Sequence, residues 1–72
     1  MNKTIEVVFY REGERWLAQA LNIDVATFGD SLDDARAAIK EALELYFDDE
    51  PDTDIPEAFD ARVERLLVQA VR

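Results

Sequence analysis

The chain has 72 residues, 17 acidic against 8 basic, with no histidine, no cysteine and a net charge of −9. That is one small domain, burying only about 60% of its unfolded surface; without cysteines no disulfide or thiolate metal site can add stability, which leaves association with another chain. The charge argues against phosphate-backbone binding, which needs clustered Lys and Arg, and favours a basic partner or simple solubility.

Residues 4–10 alternate and are rich in β-branched and aromatic side chains, with Ile5, Val7 and Phe9 on one face and Thr4, Glu6, Val8 and Tyr10 on the other. This predicts a first strand. Glu12-Gly13 is read as the following hairpin turn, and residues 15–21 as a second strand. Its Trp16, Ala18 and Ala20 share a face that is expected to lie under a helix, because two alanines let helix side chains come close to the sheet. Residues 23–28 read as a third, shorter strand whose faces both carry apolar groups, so its orientation stays open.

Residues 32–48 form one amphipathic helix. Leu32, Ala35, Ile39, Ala42, Leu43 and Tyr46 make its apolar stripe, and Asp33, Arg36, Ala37, Lys40, Glu41, Glu44 and Asp48 lie on the other side. Ser31 is its N-cap, with Asp34 three residues on as a weak capping box, and Asp33 and Asp34 suit the positive end of the helix dipole. Gly29 before it is read as supplying a backbone conformation that other residues resist.

The acidic stretch 48–54, with Pro51, ends the helix and reads as a solvated linker. It is a poor calcium loop: the loop glycine is missing, and Phe59 stands where a bidentate glutamate is needed. Residues 55–72 fit two models. Phe59, Val63, Leu66, Leu67 and Ala70 suit a second helix, capped by Thr53 or Asp54 with Pro56 in its first turn; the alternation from Arg62 onward suits a buried strand.

The chemistry of an enzyme is missing. Histidine and cysteine are absent, the only serine is Ser31, and Gly13 and Gly29 build no phosphate loop. No catalytic, cofactor-binding or metal-ligating residues are assigned, and an enzyme working through carboxylates is a distant third reading. The sheet face turned away from the helix would carry Val8, Tyr10, Leu17 and Leu21, an apolar patch suited to self-association. No apolar run reaches the ~20 residues of a membrane span, and Met1-Asn2-Lys3 lacks the apolar region of a signal peptide, so a cytoplasmic protein without membrane contact is expected.

Trp16-Leu17-Ala18-Gln19-Ala20-Leu21, then the run from Asp24 through Gly29-Asp30-Ser31 to Ala35, then Ile39 through Glu41-Ala42-Leu43 to Phe47, resemble the HicB-like antitoxin family over about residues 4–48. The resemblance implies an α+β, two-layer β-β-β-α-β fold, with a three-stranded antiparallel sheet, one helix on one face, and a C-terminal strand, about 62–71, beside the first. It also implies neutralisation of a basic HicA-type toxin, a small RNA-cleaving protein with a catalytic histidine, by covering its RNA-binding and catalytic surface. The helix carboxylates Asp33, Glu41, Glu44 and Asp48 are the expected contacts. Two departures stand out. Asn22-Ile23-Asp24-Val25 replaces the Leu-Pro-Gly turn of many members, and no room follows the fold for the DNA-binding domain that many carry, so DNA binding by the chain alone is not expected. The runner-up reading is a solitary homo-oligomeric domain of the same fold, a homodimer or higher oligomer with a regulatory or unknown role.

Overall fold

The computed structural model describes residues 3–49 and 54–70. Strands β1 (Val7–Glu12) and β2 (Arg15–Ala20) pair antiparallel from Val7 opposite Ala20 to Glu12 opposite Arg15. The connecting loop is therefore Gly13-Glu14, one residue later than the expected Glu12-Gly13. Gly13 has a left-handed φ of 64°, as glycine does in the first central position of a type II′ turn. The pairing runs right up to this loop, which is why β1 extends through Glu12 instead of ending at Tyr10.

Strand β3 (Ala26–Gly29) adds to the other side of β2, giving the antiparallel order β1-β2-β3. It is shorter than the expected 23–28. The backbone folds on itself first: the Val25 N–H donates to the Ile23 carbonyl, and the Val25 carbonyl accepts from the Ala20 N–H, both at 2.9 Å. Ile23 and Asp24 thus belong to the turn and Val25 to its exit.

Helix α1 (Leu32–Asp49) starts where its cap dictates: the Ser31 hydroxyl accepts from the Asp34 N–H at 3.0 Å, and the Ser31 carbonyl from the Ala35 N–H at 2.9 Å. Ala35 and Ile39 are buried against Ala18, with Val7, Phe9, Trp16, Val25 and Leu43 packed around them. The Trp16-Ala18-Ala20 face does lie under the helix, and the domain is α+β with two layers.

Gly29 has a different role from the one expected. Its φ is not positive; a Cβ on it would stand 2.5 Å from the Ala35 nitrogen and 2.8 Å from the Asp34 carbonyl carbon. Clearance, not conformation, requires glycine here, because the atoms in the way are helix backbone.

The expected C-terminal strand over 62–71 is not formed beside β1, and the alternative second helix is absent too. Residues 61–70 take part in no helix and no strand ladder and are exposed throughout, and β1 pairs with β2 alone among the described residues. Two local features steer this segment. The Asn22 Nδ2 donates to the Pro56 carbonyl at 2.7 Å, tying the chain to the β2–β3 turn, and Asp60 adopts a left-handed φ of 52°. Met1, Asn2, Val71, Arg72 and most of the acidic linker, residues 50–53, lie outside the described residues.

The clearance at Gly29 generates a prediction. Gly29→Ala forces the first helical turn away from β3 and lowers unfolding stability by about 1–3 kcal/mol, as overpacking does. Urea unfolding followed by circular dichroism measures it; unchanged stability refutes the account of the close approach.

Candidate protein-interaction surfaces

Alternation along the strands puts Val8 and Tyr10 of β1, Leu17 of β2 and Phe28 of β3 on the face opposite α1. The register makes this a row, since Tyr10 pairs with Leu17 and Leu17 with Phe28. Tyr10 is 44% exposed and Phe28 56%. The Arg15 guanidinium sits 4.2 Å from the Phe28 ring centroid, over one end of the row. Leu21, also 44% exposed, lies just past the end of β2, where its N–H donates to the Glu6 carbonyl at 2.9 Å. Phe28 was missed from the sequence because both registers of the third strand carried apolar groups. The signal that places it is Gly29: once Gly29 faces the helix, its neighbour must face away.

On the other layer, Glu41, Glu44 and Asp48 follow one another at spacings of three and four and share one exposed stripe of α1. Lys40 reaches Glu44 at 3.4 Å. Asp33 stands apart, roughly 22 Å along the helix from Asp48 at 1.5 Å per residue, and is bound to Arg36 at 2.6 Å. Both ion pairs are solvent-exposed and contribute little to stability. The last turn of α1 holds no basic residue, so Asp48 and Asp49 meet the negative end of the helix dipole uncompensated by their own helix.

Between these layers runs a groove along the outer edge of β1. Ile5, Val7 and Phe9 form one wall, and Ile39, Leu43 and Phe47 the other. Arg36 lies over Phe9, 5.7 Å from its ring centroid, and Lys3 over Phe47 at 5.2 Å.

Among the described residues no group of acidic side chains is placed to hold a metal ion, and no helix is long and apolar enough to cross a membrane. Compared with family models, with curated proteins and with solved structures, the chain matches none.

The acidic end of α1 makes a testable statement about stability. Asp48→Lys or Asp49→Lys places a cation at the negative pole and stabilises the fold by about 0.3–1 kcal/mol at low ionic strength. The gain shrinks in high salt. Thermal unfolding at the two ionic strengths checks both; a loss of stability in the lysine variants contradicts this reading of the helix end.

Proposed function

We propose that this chain is a non-enzymatic, antitoxin-like protein-binding domain of HicB type that acts in the cytoplasm on a small basic RNA-cleaving toxin of HicA type. The observation that carries this reading is the carboxylate stripe Glu41-Glu44-Asp48, which ends at the uncompensated negative pole of α1. Negative charge collected where the dipole already disfavours it costs the free protein stability, and a cationic surface docking there removes that cost. On a toxin, the stripe occupies the basic groove that holds RNA, so the phosphate backbone is excluded and the catalytic histidine never meets its substrate. Electrostatic complementarity of this kind acts mainly on the rate of encounter.

The test is co-purification of the chain from its native host, followed by kinetics with the recovered basic protein. The association rate falls steeply between low and high salt, and the variant Glu41→Lys/Glu44→Lys/Asp48→Lys slows it on the order of tenfold or more. Asp33→Ala, at the far end of the helix, has a smaller effect. Recovery of no basic partner, or binding indifferent to salt and to these reversals, rejects the reading. Circular dichroism on the triple variant, which also loses the Lys40–Glu44 ion pair, separates lost binding from lost helix.

The row Val8, Tyr10, Leu17 and Phe28 favours a second reading, a solitary homo-oligomer joined through its open sheet face. In that case Leu17→Glu, at the centre of the row, buries a charge in the contact and shifts the mass in solution downward. Identical masses for variant and parent exclude this contact.

A further inference from the structure

The edge of β1 is built to receive a strand. The Glu6 carbonyl accepts from the Leu21 N–H and the Glu6 N–H donates to the Asn22 Oδ1, so Glu6 turns its backbone groups toward β2. By antiparallel alternation Val8 and Tyr10 do the same, while Ile5, Val7 and Phe9 direct their N–H and C=O groups outward. The same three residues line the groove under α1, where Ile39, Leu43 and Phe47 face them and Arg36, Lys40, Glu44 and Asp48 form a charged rim. A strand placed there finds a ladder and an apolar floor together.

The chain also carries a strand without a place. Residues 61–70 form no helix or strand and are exposed, and they include Val63, Leu66, Leu67 and Val68, of which Leu67 is fully exposed at 102%. At ~3.3 Å per residue this arm is about as long as the β1 edge or longer. It does not pair with its own β1. Asn22 holds the Pro56 carbonyl beside the start of β1, and beyond the left-handed Asp60 residues 61–70 make no ladder with that edge. The core meanwhile is short of apolar bulk: three of its four buried residues, Ala18, Ala20 and Ala35, are alanines, with Ile39 the fourth.

We propose that two copies of the chain exchange these arms, residues 61–70 of each lying along the β1 edge of the other, beneath its helix. Two identical grooves and two identical arms satisfy one another about a two-fold axis, with nothing left over. The exchange adds a fourth strand to each sheet, covers both β1 edges and buries the arm's apolar residues against Val7, Phe9 and Leu43. It does not use the open sheet face; Glu44 and Asp48 rim the same groove, so the charge reversals that test the proposed function are kept out of the chains used here.

The absence of native cysteine makes the test direct. Full-length Val8→Cys and Leu67→Cys chains, one of them tagged to differ in mass, are unfolded together, refolded and treated with a short bis-maleimide linker. Gln69→Cys serves as a second arm position to cover the register. The expected result is a cross-link between unlike chains, at twice the 8.2 kDa chain mass plus the tag, which disappears when Asp replaces both Leu66 and Val68. Circular dichroism on that last variant confirms that the helix persists. A further chain that carries both Val8→Cys and Leu67→Cys is treated alone; a cross-link formed only within it, at monomeric mass, shows that the arm folds back on its own edge and overturns the proposal. Cross-links only between like Val8→Cys chains, which report sheet-face contact, or none at all, overturn it equally.

Discussion

The close approach of α1 to the sheet is the constraint on which this fold depends. It is made by small residues: Ala18 in the centre of β2, Ala35 in the first turn of the helix, and Gly29 where any Cβ would strike helix backbone. Ser31 fixes where the helix starts, and the clearance at Gly29 fixes how near it lies. Given those two points, Ile39 falls over Ala18 and Leu43 over the neighbouring strand. The tight spacing has a consequence. Alanine contributes little apolar area, so close packing is achieved with little hydrophobic stabilisation, and no large side chain among the described residues is fully buried.

This shortage links the core to the surfaces. In a domain of this size the hydrophobic effect leaves a narrow margin, and here much of the apolar material lies outside: the row on the open sheet face and the arm beyond Asp60. A bare sheet edge beside an apolar groove is the arrangement that soluble proteins usually cover, shorten or charge. The chain does little of this at β1 by itself. Arg36 and Lys40 flank the groove, but its walls are Ile5, Val7, Phe9, Leu43 and Phe47.

Charge on the helix is mixed beside the sheet edge and acidic toward its end. Arg36 and Lys40 share the groove beside β1 with Glu44 and Asp48, while the stripe Glu41-Glu44-Asp48 ends at the negative pole of the dipole. Apolar groups dominate the open sheet face and carboxylates the outer face of the helix, on opposite sides of the two layers.

The strands, the helix and its cap were legible in the sequence because each rests on local physics: alternation for strands, 3.6-residue spacing for the helix, a serine hydroxyl for its first turn, a glycine for the hairpin. The face of β2 that meets the helix was legible for the same reason, since Trp16, Ala18 and Ala20 must share a side. The candidate surfaces were only partly so. Val8, Tyr10, Leu17 and the helix carboxylates could be placed by periodicity, whereas Phe28 needed the register of β3, which depends on where the turn at Ile23–Val25 closes. Tertiary structure alone decided the purpose of Gly29, because clearance is a relation between two elements distant in space. It alone decided the fate of residues 61–70 as well. Their alternation gives them the capacity to pair, but a strand exists only through a neighbour's hydrogen bonds, and beyond the tie from Asn22 to Pro56 residues 61–70 make none with the β1 edge.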